Sequence, residues 1–552
     1  MKTNCIIIFV GLALCTCCAL QAQVPVAVCK NATKYLGSDC SVQITADDID
    51  GGSTNCKTRV VSKPFFTCSD AGTATDTLTV SNLVFNQTKG LQTLYSKCTA
   101  TVTIIKDVKA TCQDKTVNLD ASGMAHITPE NVSANDPADP AIDSFFVSKK
   151  DFTCMDAGPN PVILTIANKS GSLSSCSATV TVNSNSAAKC SAKRWYVNAQ
   201  SGSDGNTGLS WSAAFAGLQK AIGSARSGDQ IWVAGGTYKP SAYPRNATQL
   251  NGAALPVNTR YYTFQLPDGV QIYGGFAGTE TYLSERQMGE HPSMLNGDQG
   301  TYQVFHVVIS VNAGAESVLD GFVITGGRAV YLGNAILVDG VAVSSANGGG
   351  IAFAQSNATV RNVAIVNNNA TAEGGGIAII DASPSLTNVT VAANTSTRQG
   401  GGIYATASAF PTLTNATVAN NVATNGGNGL YVYNSSSEIT VNNAVFFNNG
   451  SGQDILSSSG ATVKGSNNYT QQATSGYGSP AGFHKLKLNP FAKSNDPDGA
   501  DNLFGTADDG LKPGGSSELN NAGNSLLNNT AIDLLGNCRV DSGIMDVGAY
   551  EK

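Results

Sequence analysis

A 26-residue repeat in the middle of the chain constrains its fold more than any other feature. The sequence Gly-Gly-Gly-Ile begins at Gly348, Gly374 and Gly400, and a degenerate copy begins at Gly426. Between these positions lie runs of β-branched residues broken by Gly and Asn. A repeat of this length with no helix inside it predicts one coil of a β-solenoid per repeat.

Two series of asparagines keep nearly the same spacing as the glycines. One series is Asn362, Asn388, Asn415 and Asn442, and the other is Asn368, Asn394, Asn421 and Asn448. Coils that pair as parallel strands stack about 4.8 Å apart, so equivalent residues lie above one another. We therefore expect hydrogen-bonded asparagine ladders at the bends, stacked aliphatic residues in the core and glycines at tight corners. A low-complexity tract would not keep two asparagine series in phase.

Several motifs resemble known families. Gly-Gly-Gly-Ile and Val391-Ala392-Ala393-Asn394 are similar to the repeats of polymorphic outer-membrane proteins, although the usual Phe of the second motif is aliphatic here. Tyr196-Val197-Asn198, Tyr273-Gly274-Gly275-Phe276 and the terminal Asp546-Val547-Gly548-Ala549-Tyr550-Glu551 resemble secreted proteins of the pectin-lyase-like superfamily. The resemblance covers residues 194–552. It implies a right-handed parallel β-helix over residues 194–475, completed or capped by residues 476–552.

The N-terminal third contains a duplication. Phe66-Thr67-Cys68-Ser69-Asp70-Ala71-Gly72 recurs as Phe152-Thr153-Cys154-Met155-Asp156-Ala157-Gly158, and each copy ends in an alternating Thr/Val strand. This pattern predicts two β-sandwich modules, at residues 23–107 and 108–184, and a polar linker at residues 185–193. The modules resemble immunoglobulin-like, hyalin-repeat-like modules of secreted bacterial proteins, which implies a spacer or adhesive stalk. The predicted fold class is therefore all-β, with two sandwich modules followed by the β-helix.

Cysteine usage and the N-terminus predict export. Lys2 and the short apolar run from Ile6 to Leu14 are typical of a signal peptide, here residues 1–22. No later stretch is apolar enough, over about 20 residues, for a membrane helix. An even number of cysteines after the signal predicts disulfides in an exported protein. We expect the pairs Cys68–Cys98 and Cys154–Cys176. The sequence leaves open the partners of the remaining cysteines, which are Cys29, Cys40, Cys56, Cys112, Cys190 and Cys538.

The repeat region offers few groups for catalysis. Between Gly348 and Gly450 the charged residues differ in phase and do not stack; they are Arg361, Glu373, Asp381, Arg398 and Glu438. The earlier coils carry more charge. There the loop with Glu285, Arg286 and His291 supplies weak catalytic candidates, because pectate-lyase-like enzymes use carboxylates to hold calcium and an Arg or Lys as base. The alternative is that these are ordinary loop charges.

A second acidic constellation lies near the C-terminus. Asp496, Asp498, Asp501 and Asp508 surround a glycine turn and offer closely spaced oxygen ligands of the kind that calcium prefers. A structural calcium site and a solvated acidic turn are the two interpretations. No other cofactor is indicated.

Composition limits the choice of partner. Charged residues make up 13 % of the chain, the net charge is −6, and no basic run is present, which argues against nucleic acid. A stiff, weakly charged surface of amides, hydroxyls and tyrosines (Tyr404, Tyr431 and Tyr433) favours an extracellular or bacterial cell-surface binding or adhesion protein. The expected partner is a polysaccharide or cell-surface glycan. The alternatives are a polysaccharide lyase or glycoside hydrolase, and a passive matrix component. The oligomeric state stays open.

Overall fold

The computed structural model is nearly all-β, as the sequence predicts. It describes residues 24–37, 40–86, 89–183, 191–250, 252–255, 257, 259–331, 335–472, 482–528, 530–540 and 545–552. The predicted signal peptide, Cys190 and most of the predicted linker lie outside these residues. The described chain forms two compact units. One contains the residues up to Val108 with Pro140–Asp143 and Asn168–Ser172, and the other contains Lys109–Asp139, Ser144–Ala167 and the chain from Leu173 onward.

The first copy of the duplicated segment folds around a four-stranded and a two-stranded sheet. The larger sheet has the strand order Ala32–Tyr35, Gly90–Ile105, Gly72–Asn86 and Thr58–Val61, and the smaller pairs Ser41–Gln43 with Phe65–Thr67. A helical turn, Ala46–Ile49, and a 3-10 turn, Cys68–Asp70, join these strands. Phe66, Leu78 and Val102 are fully buried in the core.

The second copy repeats this arrangement. Its larger sheet has the order Lys115–Asn118, Leu173–Asn183, Gly158–Asn168 and Ile142–Val147, and its smaller sheet pairs Met124–His126 with Asp151–Thr153. Its 3-10 turns are Pro129–Val132 and Cys154–Asp156. Phe152, Leu164 and Val180 fill the core at positions equivalent to those of the first copy. Both copies have a two-sheet architecture, and their assignment as immunoglobulin-like stays a prediction.

The repeated Phe-Thr-Cys-x-Asp motif has a local structural cause. In the first copy the backbone N–H of Thr67 donates to Asp70 Oδ2 at 2.8 Å, and in the second copy Thr153 donates to Asp156 Oδ2 at 2.8 Å. Each aspartate thus caps the 3-10 turn that leaves the small sheet. The motif recurs because both modules need this turn.

All four cysteines that the sequence analysis selected are disulfide-bonded, but the predicted pairings are wrong. The disulfides are Cys29–Cys98, Cys40–Cys68 and Cys112–Cys176, and Cys154 is also disulfide-bonded. Strand register explains the first and third pairs. Ala32 lies beside Val102 and Lys115 beside Val180 in parallel strands, so the cysteine before each short strand meets the one on the long strand. Register also explains the second pair, because Ser41 pairs with Thr67 and brings Cys40 beside Cys68.

The rest of the chain winds into a parallel β-helix with three strand stacks. Sheet 1 contains Phe264–Leu266, Val308–Val311, Ile351–Ala354, Ile377–Ile380, Ile403–Thr406, Leu430–Tyr433 and Ile455–Ser458. The main path of sheet 2 is Arg194–Val197, Gln230–Ala234, Gln271–Phe276, Val318–Thr325, Thr359–Val366, Ser385–Ala392, Thr412–Ala419, Val445–Phe447, Asn468–Thr470 and Phe483–Lys485. Its side strands are Gly236–Tyr238, Ser293–Asn296, Glu438–Asn442 and Thr462–Ser466. Sheet 3 contains Arg328–Ala329, Asn369–Ala370, Thr395–Ser396 and Val422–Ala423.

Stacked aliphatic residues form the interior of the β-helix. Ile351, Ile377, Ile403 and Leu430 occupy one column of sheet 1 and are essentially inaccessible to solvent. The helix Leu218–Ser224 packs Leu218, Ala221 and Ile222 against the same core near the first coils. The 3-10 turns in this part of the chain are Trp211–Ala213, Thr259–Tyr261, Leu283–Glu285 and Ser525–Leu527.

The glycine and asparagine repeats lie at the corners, as predicted. The first glycine of each full triplet has a positive φ, +76° at Gly348, +69° at Gly374 and +66° at Gly400. Asn388 donates to Asn362 at 2.9 Å and Asn394 donates to Asn421 at 3.0 Å, so both ladders form.

In the fourth coil the ladder positions are not those predicted from spacing. Asn443 and Asn449 continue the two ladders there, instead of Asn442 and Asn448. The coil is one residue longer at this point than the extrapolated spacing, and hydrogen bonding selects the second asparagine of each pair.

The C-terminal strap, which we define as the described part of residues 482–552, runs along the outside of sheet 2. Its apolar residues Phe491, Leu519 and Val547 pack on the outward side chains of the sheet, such as Ala392 and Ala419. Three ladder asparagines and Asn467, which lies one coil beyond Asn443, bind its backbone and side chains. The contacts are Asn467 with Ala522, Asn443 with Asn524, Asn415 with Asn528 and Asn388 with Ile532. The strap therefore runs back toward the earlier coils as it proceeds.

The second module packs on the β-helix within the same compact unit. Ile163 contacts the strap residues Val540 and Met545. Ser175 Oγ lies 3.3 Å from Ser525 Oγ, and Arg194 donates to the carbonyl oxygen of Met155 at 3.3 Å. The outer face of this module's large sheet thus serves as an intramolecular docking surface.

Candidate functional site

The predicted catalytic candidates Glu285, Arg286 and His291 lie on the loop between two strands of sheet 2. Glu285 Oε2 accepts hydrogen bonds from the backbone N–H groups of Thr281 and Tyr282, at 2.7 and 2.9 Å. This carboxylate therefore caps the 3-10 turn Leu283–Glu285. His291 is partly buried, and its backbone N–H donates to the carbonyl oxygen of Gln287 at 3.0 Å.

Arg286 is engaged in an ion-pair network. Its Nη2 lies 2.9 Å from Asp320 Oδ1, and Arg361 Nε lies 2.7 Å from Asp320 Oδ2. Asn362, the first member of one asparagine ladder, also donates to Asp320 Oδ1 at 2.8 Å. Burial alone would raise the pKa of Asp320, but the two arginines and Asn362 outweigh it and hold that pKa below its usual value. Arg286 thus neutralises a buried carboxylate.

This network also ends the ladder. The amides of Asn443, Asn415, Asn388 and Asn362 each donate toward the preceding coil, and the last donates to Asp320. Sequence reasoning did not identify Asp320 as the residue at the end of the ladder. Asp320 lies one coil before Arg361 in the register of sheet 2, and its carboxylate accepts the last hydrogen bond of the ladder, from Asn362.

The predicted calcium ligands do not converge. Asp508 Oδ2 accepts from the backbone N–H groups of Ala500 and Asp501, and Asp501 Oδ1 accepts from Leu503. Within the described ranges no group of three or more His, Cys, Asp or Glu side chains is placed to hold a metal ion. The calcium site at Asp496, Asp498, Asp501 and Asp508 therefore remains a prediction, as does the alternative of a solvated acidic turn.

The outer face of sheet 1 is covered at the early coils of the β-helix and more accessible to solvent at the later ones. At its early coils a three-stranded cover, formed by Thr248–Gln249, Ala335–Val338 and Val341–Ser344, buries the outward residues. These outward residues include Ile309, Val311, Ala352 and Ala354. The next coils present a larger, more accessible set in the same columns. We call it the tyrosine strip: Ile380, Tyr404, Tyr431, Tyr433 and Leu456.

The rings of the strip are mutually ordered. Tyr404 and Tyr431 stack with centroids 5.8 Å apart and an interplanar angle of 11°, and Tyr431 and Tyr433 lie 6.2 Å apart at 28°. Tyr433 is 41 % exposed, whereas Tyr431 is 7 % exposed and places its hydroxyl 2.7 Å from Ser458 Oγ. Burial raises the pKa of Tyr404 to about 12, so its phenol remains a hydrogen-bond donor. The strip therefore combines ordered apolar rings with hydroxyl groups.

The charges beside the strip are few and largely balanced. Glu373, which acts electrostatically on Tyr404, lies 3.4 Å from Arg398 in an ion pair. The exposed Asp381 accepts a hydrogen bond from Gln355 at 3.1 Å. An anionic ligand would gain little from this surface.

Comparison with known proteins supports the fold. A family described as "Right handed beta helix region" matches residues 300–468, the segment that contains the glycine and asparagine repeats. The fold thus defines the class, a right-handed parallel β-helix protein with N-terminal β modules.

Two solved structures are similar at low identity. One, titled "Crystal structure of pectate lyase Pel9A", is 15 % identical with a TM-score of 0.32, and the match covers 66 % of this chain and 97 % of that one. The other, from Clostridium thermocellum, contains CbhA fibronectin(III)-like modules. It is 11 % identical with a TM-score of 0.13, and the match covers 28 % of this chain and 91 % of that one. No curated protein matches the chain.

Proposed function

We propose that this chain is an exported, extracellular or cell-surface binding protein that contacts glycans through the tyrosine strip. The observation that carries the proposal is the ordered Tyr404–Tyr431–Tyr433 array on a partly exposed sheet face. Tyrosine joins an apolar ring to a polar tip, which suits sugars because they have apolar faces and hydroxyl edges. The rigid β-helix holds the rings in place before any ligand arrives, which lowers the entropic cost of binding.

The disulfides support an extracellular setting. Disulfides persist in oxidising compartments, and three are present within the two modules. No helix among the described residues is long and apolar enough to cross a membrane.

The electrostatics of the strip favour uncharged glycans. Glu373 and Arg398 neutralise one another, and Asp381 leaves a small negative excess. A polyuronate would be weakly repelled here, whereas a neutral polysaccharide would not. We therefore expect neutral glycans to be retained more strongly than acidic ones, and the difference to shrink at high salt.

The test is retention of the exported chain on immobilised neutral and acidic polysaccharides, together with an assay for unsaturated or reducing ends. Tyr433→Ala and Tyr404→Ala should each weaken retention by about tenfold, equivalent to about 1.4 kcal/mol. Tyr404→Phe separates the contribution of the ring from that of the hydroxyl. Tyr95→Ala is the matched control, because Tyr95 is 65 % exposed but lies in the first module.

Each outcome decides the proposal. Retention that falls in the strip variants and persists in Tyr95→Ala supports it. Equal retention of all variants would show that the strip is not the binding surface. Product release by the wild-type chain would favour the lyase or hydrolase alternative, and no retention on any glycan would favour the matrix component.

A further inference from the structure

The long hairpin of the first module extends farther than its counterpart in the second. The pairs Leu78–Cys98 and Leu164–Cys176 occupy equivalent positions, because each contains the cysteine that bonds to the start of its module. Beyond this position the hairpin of the second module continues for three residue pairs and that of the first module for eight. Since both modules have the same arrangement of sheets, the fold does not require the extension.

One face of the extended hairpin is apolar and exposed to solvent. The exposed set, which we call the ribbon patch, is Val60 (60 % exposed), Leu83 (48 %), Leu91 (64 %) and Tyr95 (65 %). Leu83 pairs with Thr93, which shares a face with the residues two places before and after it. Val60 pairs with Thr79, four residues before Leu83 and therefore on the same face. An exposed apolar set of this kind marks an interaction surface.

The hairpin carries positive charge and no negative charge. From Thr77 to Lys106 the sequence contains no Asp or Glu. Lys97 is exposed and lies on the face of the ribbon patch, two residues from Tyr95. Lys57 is also exposed, and its backbone N–H donates to the carbonyl oxygen of Ser81 at 2.8 Å, beside the patch. Neither lysine takes part in the ion pairs in the described part of this module, which join aspartates to Lys34, Arg59 and Lys63.

We propose that the ribbon patch docks on a membrane surface that carries anionic lipid headgroups. Apolar side chains enter the boundary between headgroups and acyl chains, and lysines bind the headgroup phosphates. Tyrosine suits this depth because its ring is apolar and its hydroxyl is polar. The patch offers all three kinds of group on one face of a hairpin.

Charge favours a membrane over a second copy of the chain as the occupant. Two ribbon patches packed face to face would bring the Lys97 side chains of both chains together, and the hairpin has no acidic residue to offset them. Like charges in an interface oppose association. An anionic bilayer supplies the opposite charge and adapts to the shape of the patch.

Flotation of the exported chain, without the predicted signal peptide, with lipid vesicles tests the proposal. We expect binding to vesicles of equal parts phosphatidylcholine and phosphatidylglycerol, and weaker binding to vesicles of phosphatidylcholine alone. Lys57→Gln and Lys97→Gln should each weaken binding to the mixed vesicles by about fivefold, and high salt should act in the same direction. Leu91→Ser should weaken it by about tenfold. Leu488→Ser is the matched control, because Leu488 is 80 % exposed but lies in the C-terminal strap.

A hairpin exchange provides a second, independent variant. Replacing Leu83–Leu94 with the sequence of Lys169–Ser172 gives the first module the shorter turn of the second and leaves every disulfide cysteine in place. This variant should lose binding to the mixed vesicles and keep the far-ultraviolet circular dichroism of a folded β protein. Tyr404→Ala and Tyr433→Ala should bind vesicles as wild type does, which separates this surface from the tyrosine strip.

Several outcomes would overturn the proposal. They are equal binding of the wild-type chain to both kinds of vesicle, binding to neither, and equal losses in Leu91→Ser and Leu488→Ser. Concentration-dependent self-association that Leu91→Ser abolishes would instead assign the ribbon patch to a second copy of the chain.

Discussion

The buried negative charge of Asp320 is compensated by two arginines from different parts of the chain. Its side chain is 1 % exposed, that of Arg286 is 6 % exposed, and Arg361 completes the network from the next coil. Removing one partner of a buried ion pair leaves the other charge uncompensated, which costs far more than breaking a pair at the surface. We therefore expect this network to stabilise the folded β-helix.

Replacing Asp320 tests this role. Asp320→Asn should lower the free energy of unfolding by about 3–5 kcal/mol, because Arg286 stays buried without its anion. Glu438→Gln, which breaks the exposed pair with Lys464, should cost about 1 kcal/mol or less. Urea unfolding followed by tryptophan fluorescence is suitable, because Trp195, Trp211 and Trp232 all lie in the early coils. Equal costs for the two variants would contradict the assignment.

At the level of the element, the corner glycines decide whether coils can stack. Gly375 illustrates the constraint, since a Cβ built on it would lie 2.2 Å from the carbonyl oxygen of Thr395 and 2.4 Å from that of Gly401. Both obstacles are backbone atoms of stacked coils, which cannot rotate away as a side chain can. The middle glycine of the triplet is therefore required by close packing, and the first by its positive φ.

Gly375→Ala should destabilise the β-helix by at least the cost of overpacking, about 1–3 kcal/mol. Gly515→Ala is the matched control, because nothing lies within 4 Å of a Cβ at that position and its φ is not in the left-handed region. Thermal unfolding of the full chain, followed by far-ultraviolet circular dichroism, measures both. A melting temperature that stays the same in Gly375→Ala would show that the corner can relax.

For the molecule as a whole, disulfides and docking contacts connect segments that are distant in sequence. Cys29 pairs with Cys98 across 69 residues and Cys112 with Cys176 across 64 residues. Closing loops of this length stabilises a fold by about 4 kcal/mol in the chain-entropy account. The strap adds further long-range contacts by binding the asparagine ladder.

Peptide mapping under non-reducing conditions tests the pairing. We expect linked peptides that contain Cys29 with Cys98, Cys40 with Cys68, and Cys112 with Cys176. Cys56 and Cys538 should react with an alkylating reagent before reduction, because both are free thiols. A peptide that links Cys68 to Cys98 would contradict the strand register of the first module.

The repeat coils could be located from the sequence because the corner glycines and ladder asparagines of each coil recur at a nearly fixed spacing. The positive φ at Gly374 and the amide pairing of Asn388 with Asn362 follow from a fixed period and need no distant information. The same reasoning failed for the disulfides, because the parallel strand that brings Cys29 to Cys98 pairs residues about 70 positions apart. It also missed Asp320 as the partner of Arg286, because a lone aspartate carries no periodic signal.

The sequence by itself determined the class of fold, the spacing of the coils that begin at Gly348, Gly374 and Gly400, and the duplication of the N-terminal module. These properties arise from local periodicity and from identical residues stacking on one another. Only the tertiary structure decided which cysteines pair and that Asp320 forms an ion pair with Arg286. It also decided which sheet faces are covered, and that Tyr404, Tyr431 and Tyr433 form one partly exposed array. Such properties depend on contacts between segments far apart in the chain, and those contacts are set by strand register and packing.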